Sequence, residues 1–182
     1  MRATSSAVVS LLVLGAVAWL GPAGAARAQP APGHDIPQSL AYEHEDTLRE
    51  LASLAQRPGP VGVAATKALD LFKRHTEREQ AYILPPLALL PDLADGKATP
   101  DMAWALVMID RVKADREVIF QEHEQVTDLM NELLVAGERS HDREAVDFAR
   151  SAAADSLNDL EILEPTVLLI GDYLRTRLAA GH

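Results

Sequence analysis

The chain has 182 residues and no cysteine, and its 27 acidic against 17 basic side chains give a formal net charge of −10. Without cysteine there are no disulfides, thiolate ligands or lipidated N-terminal cysteine, so any metal must be held by nitrogen and oxygen. The acidic balance argues against nucleic acid as a partner, and the scarcity of aromatics beside abundant Ala, Leu, Glu, Asp and Arg favours helix over sheet.

Residues 1–28 read as a Sec-type signal peptide. Arg2 is the only charge before the apolar run from Ala7 to Gly21, and Ala26-Arg27-Ala28 is a small-residue cleavage site. The run of roughly 15 residues falls short of the ~18–20 needed to span a bilayer. This predicts a periplasmic or secreted protein with no membrane insertion after cleavage. The segment removes two arginines and no acid, leaving a single domain with a charge near −12.

Residues 29–35, with Pro30, Pro32 and Gly33, form a flexible leader, with His34 a solvated tail residue. The domain then spans residues 36–182. A first helix is predicted from Pro37 to Ala55, with Leu40, Leu48, Leu51 and Leu54 on one face, ended by Arg57-Pro58-Gly59-Pro60. A second runs from Val61 to Leu90 with Ala65, Ala68 and Phe72 inward and a bend at Pro85-Pro86. A third, from Thr99 or Pro100 to Ala136, carries Ile109, Val112, Ile119, Val126, Met130 and Leu133 and is capped by Gly137. A fourth, from Asp142 to Leu178, turns Phe148, Ala152, Ile162 and Leu169 inward and kinks at Pro165. Trp104 and Phe120 read as packing residues, His141 as a capping or surface residue, and His182 as part of a frayed terminus. Four amphipathic helices with short links predict an all-α, up-down-up-down four-helix bundle.

The two halves repeat. Glu43-His44-Glu45 recurs 79 residues later as Glu122-His123-Glu124, and Leu40, Leu51 and Leu54 fall on Ile119, Met130 and Leu133. His75, Glu79 and Ile83-Leu84-Pro85 stand 80 residues before Asp155, Asp159 and Leu163-Glu164-Pro165. One helix pair therefore occurs twice.

The repeated polar residues occupy inward positions. His44 lies four residues from both Leu40 and Leu48, and His123 falls between Ile119 and Val126. His75 with Glu79, and Asp155 with Asp159, are i, i+4 pairs that share a helix face. Three imidazoles and three carboxylates inside a bundle must be paired or metal-bound, since an uncompensated buried charge costs several kcal/mol. Imidazole with carboxylate suits iron, manganese or zinc. The competing structural reading pairs Asp155 or Asp159 with Arg116, Lys73 or Arg74. Glu43, Glu45, Glu122 and Glu124 read as solvated flanks, and Tyr82, one turn beyond Glu79, reads as core or as a hydrogen-bond donor lining the site.

With His44 in the first helix, His75-x-x-x-Glu79 and a proline break in the second, and His123 in the third, the chain resembles bacterial hemerythrin-like (HHE cation-binding) domains over nearly all of residues 36–178. The resemblance implies a site of one or two non-haem iron ions, with His44 and His75 on one, His123 and Asp155 on the other, and Glu79 and Asp159 bridging. Asp155 departs from the family, which has histidine there, and Thr127 stands where oxygen-binding members carry a further histidine. The implied role is oxygen, nitric oxide or iron handling, with a small diatomic ligand or a metal ion as partner. A ferritin-like diiron oxidase or peroxide-handling enzyme is the second reading, and a metal-free structural or interaction bundle is the third. No Gly-x-Ser-x-Gly, Gly-x-Gly-x-x-Gly or P-loop sequence is present.

Overall fold

A computed structural model describes residues 34–180. The signal-peptide reading of residues 1–28, most of the leader and His182 lie outside the described residues. Within them the chain is all-helical, with no strand.

Helix α1 spans Gln38–Ala55 and α2 spans Pro60–Arg78. The four residues between them include Gly59 at φ 81°, where a side chain would be strained, and Pro60 then opens α2 with its φ already fixed for helix. With so short a link, α1 and α2 pack as a helical hairpin. The loop also tucks the Arg57 carbonyl onto Gly62, where an added Cβ would sit 1.9 Å from that oxygen.

The second predicted helix breaks earlier than its prolines. A π-helical turn covers Glu79–Ile83, a 3-10 turn Pro85–Leu89 and a short helix α3 Leu90–Ala94. Pro85 has no N–H to give the carbonyl four residues back, and the chain widens so that Leu84 N–H donates to the Glu79 carbonyl at 2.9 Å. The same event occurs in the second half. There α5 (Arg143–Asn158) gives way to a π-turn at Asp159–Leu163, followed by α6 (Glu164–Ala179) with Pro165 in its first turn. Each π-turn starts on one of the repeated carboxylates.

Between these halves, a 3-10 turn at Pro100–Ala103 leads into α4, Trp104–Ser140. Gly137 is not the cap that the sequence suggests. The helix runs through it and ends at His141, which adopts the left-handed conformation at φ 56°. Gly137 instead allows α4 and α5 to approach: a Cβ there would lie 3.0 Å from Val146 Cγ2 and 3.2 Å from Ala145 Cβ. Asp142 caps α5 by accepting the Ala145 N–H at 3.2 Å, and it also pairs with Arg57 of the first hairpin. Helix α4 packs on α2, α5 and α6.

Three inward assignments are corrected. Ile162 and Leu169 are 54% and 67% exposed, because the π-turn adds a residue to the repeat and rotates the following face by about 100°. Val167, Ile170 and Leu174 are buried in their place. Phe120 is also largely exposed, one residue away from buried Ile119.

The apolar interior falls into two clusters. One gathers Leu51, Leu54, Ala68, Phe72, Val126, Met130, Leu133 and Ala152, and the other Tyr82, Leu84, Ile109, Val112, Ile119, Val167 and Leu174. Helices α1 and α4 contribute to both, α2 and α5 to the first, and α6 with the turns that follow α2 to the second, so the change of cluster falls at the repeated polar residues.

Candidate metal centre

Four segments supply the polar layer between these clusters. On α1, His44 lies between Leu40, which packs on the second cluster, and Leu48, which packs on the first. On α2, His75 and the Glu79 that begins the π-turn follow Phe72; on α4, His123 separates Ile119 from Val126; and Asp159 opens the π-turn after α5. His44, His75, Glu79 and His123 are all buried, with His75 and Glu79 each only 2% exposed.

Glu79 is the hub. Its Oε2 lies 3.0 Å from His44 Nε2 and 3.4 Å from His75 Nε2, while its Oε1 lies 3.4 Å from His123 Nε2. Asp159 Oδ2 approaches His123 Nε2 from the other side at 4.0 Å. Ligand atoms of His75, Glu79, His123 and Asp159 all lie within 4.8 Å of one another, so these four residues can hold a metal ion. His44 joins them through Glu79. Asp155 stands outside the four, half-exposed, on the wall of a small adjoining cavity.

The orientation of His123 is fixed by its other nitrogen, which lies 2.9 Å from the Ile119 carbonyl. A carbonyl only accepts, so Nδ1 carries the hydrogen and donates it, and Nε2 turns toward the carboxylates. Neither His123 Nε2 nor Glu79 Oε2 has a properly aligned hydrogen-bond partner, and His44 Nδ1 has none either. In the neutral imidazole, Nε2 and the Glu79 oxygen are both acceptors, and either a proton on Nε2 or a metal ion beside it turns that contact into an attraction. A backbone-anchored imidazole aimed at a carboxylate is how histidine ligands are held at metal sites.

The electrostatics describe the same demand. Burial would raise the Glu79 carboxyl, but the imidazoles of His123, His44 and His75 outweigh it and hold Glu79 well below the usual carboxylate range. Burial would lower His44 and His123, yet Glu79 beside them raises both. His75 is governed by burial and falls to about 4. Burial, with Glu79 adding repulsion, pushes Asp159 up to about 7. Without a metal, protons supply the positive charge that the cluster lacks.

The structural reading of the two aspartates is not what the fold adopts. Among the described residues, Arg116, Lys73 and Arg74 make no ion pair with Asp155 or Asp159. Arg116 pairs with buried Glu164 at 2.7 Å, and Arg74 bonds the Asp70 carbonyl. Tyr82 is buried but its hydroxyl donates to Asp115 at 2.9 Å, with the Arg111 guanidinium over its ring, so it does not join the cluster. Glu43, Glu45 and Glu124 are exposed as expected, whereas Glu122 is buried and pairs with Arg78 at 2.6 Å. Only an inward arginine on the facing helix distinguishes Glu122 from its neighbours. The sequence reading also passed over Thr76 and Ser156, two buried hydroxyls 80 residues apart, with Ser156 Oγ 3.4 Å from the His123 carbonyl. The repeat that links Glu79 to Asp159 links them too.

No protein-family model, curated protein or solved structure matches the chain.

Proposed function

We propose that this is an exported, hemerythrin-like metal-binding protein, whose helical segments form an up-down-up-down four-helix bundle around one or two non-haem iron ions. The observation that carries the reading is His123. Its Nδ1–H is anchored on a backbone carbonyl, which leaves Nε2 facing Glu79 and Asp159 in a buried group of ligand atoms within 4.8 Å of one another. Two carboxylates and three imidazoles fit iron, with manganese and zinc as competing ions. His44, His75 and Glu79 Oε2 would serve one position, and His123, Glu79 Oε1 and Asp159 the other.

Iron in such a site supplies a Lewis acid and a one-electron redox centre for a small diatomic ligand. The chain's own part is to flank the site with two apolar clusters and to hold the His123 imidazole in a fixed tautomer. The Glu79 and Asp159 carboxylates then neutralise the metal charge without admitting outside anions.

The role is tested by anaerobic loading with ferrous iron, followed by titration with nitric oxide and then oxygen. The reading expects a saturable spectral change with each gas and no sustained oxygen uptake. Steady oxygen consumption in the presence of excess ferrous iron assigns an oxidase instead, a reading favoured by the second carboxylate, Asp159, in the cluster. A spectrum that does not respond to either gas contradicts both.

A further inference from the structure

Among the repeated polar positions, one exchanges an imidazole for a carboxylate. His75 in the first half is buried and fills its space, whereas Asp155, its counterpart 80 residues on, is shorter and half-exposed. Where the second half lacks that imidazole there is a cavity of about 10 Å³, room for about one water, walled by Glu43, Thr47, Ala152, Asp155 and Ser156 and floored by His44, His75 and Asp159. The Phe72 ring closes one side of it, and the remaining wall side chains are small or acidic. Glu43 lies exposed on α1 and Asp155 half-exposed on α5, so the cavity lies at the seam between those helices, between carboxylates that reach solvent and the buried layer. His44, itself buried, lines it and has an Nδ1 with no partner.

Among the described residues, Ile119, Tyr82 and Val126 next to the layer are almost wholly buried, the Arg78–Glu122 ion pair sits beside His123, and four larger surface grooves are lined by no residue of the cluster.

Resting on the metal-binding reading above, we infer that the α1/α5 seam is the port by which a divalent cation reaches and leaves the centre, with Glu43 and Asp155 as its acidic mouth and neither as a resident ligand. Two carboxylates at a narrow opening raise the local concentration of a dication and speed its capture, an effect that salt weakens. His44 is the first imidazole behind the mouth, and the chain of Glu43, Asp155, His44 and Asp159 grades from exposed oxygen donors to buried mixed donors.

The test follows Co2+ binding to the metal-free protein by stopped-flow absorbance, for wild type and for the Glu43→Gln/Asp155→Asn double variant. The expected result is uptake slowed about tenfold or more at low ionic strength, a flattened salt dependence, and an unchanged final Co2+ content per chain. Ala152→Met, which narrows the cavity without touching a charge, should slow both uptake and removal by EDTA at the same final content. Equal rates in all three proteins overturn the port. A double variant that binds less Co2+ at saturation overturns the assignment of Asp155 as a non-resident group. Wild type that takes up no Co2+ sinks the metal-binding reading itself, a result distinct from either.

Discussion

Asp159 shows at the level of one residue what a buried carboxylate in the cluster costs the metal-free protein. Its folded-state pKa, near 7, stands above the ordinary carboxylate value, so its contribution to stability is complete below about pH 4 and is lost as pH rises through 7. In the metal-free protein, Asp159→Asn should therefore be more stable than wild type at pH 8, by roughly 1 kcal/mol or more, with the gain closing toward pH 5. Urea melts across that range check it, and parallel profiles for the two proteins would contradict it. His75 works in the opposite sense. Its depressed pKa, about 4, means that stability is lost as pH falls from about 6.5 toward 4, because the unfolded chain takes the proton first. The histidines and Glu79 were legible in the sequence because each interrupts an apolar stripe at a helical step. The partners of Glu122 and Tyr82 were not, since an ion pair between helices depends on how far each helix is rotated, which the spacing along one helix does not report.

At the level of elements, the paired π-turns decide which way the carboxylates point. Both begin on the carboxylate and end just before a proline, and both lie between the two apolar clusters. Pro85→Ala/Pro86→Ala returns the N–H groups at both positions and lets the ordinary i→i−4 ladder re-form, which would rotate Glu79 from its hub position. The expected result is metal affinity weakened about tenfold or more with helix content by circular dichroism unchanged. Undiminished affinity would separate the π-turn from the site. The α1–α2 hairpin depends similarly on Gly62. Gly62→Ala drives a Cβ into the Arg57 carbonyl, a backbone atom that cannot step aside, and should cost about 2 kcal/mol or more of stability in thermal or urea unfolding; a cost near zero would mean the loop re-forms freely. The prolines announced that both helices break, but not the manner of breaking. A kink and a π-turn share the same proline signal, and only the π-turn shifts the register, which is why Ile162 and Leu169 were assigned inward and lie outward.

Across the whole molecule, the internal repeat has one helix pair built twice and a polar layer drawn from four segments, so that no segment alone can complete the site. Metal binding should thus be linked to the packing of both hairpins, and because protons occupy the cluster when a metal does not, binding should release protons and tighten as pH rises from 6 to 8. The all-helical class and the inward placing of His75, Glu79, His123 and Asp159 could be read from apolar stripes and the 79–80 residue offset, whereas the division of the second and fourth predicted helices into shorter pieces and the α4–α5 contact through Gly137 could not, because a glycine near a helix end reads as a cap until the neighbouring helix is in place. The central claim is that this buried layer is a metal centre. Its most direct test is the metal content per chain after anaerobic reconstitution with ferrous iron and desalting, for wild type and His75→Ala, with melting temperature recorded on both. One or two irons per chain in wild type, lost in the variant, with a higher melting temperature only for loaded wild type, is the predicted result. No stoichiometric metal in wild type, and melting that chelator does not change, would contradict it and leave a bundle whose inward histidines are held by Glu79 alone.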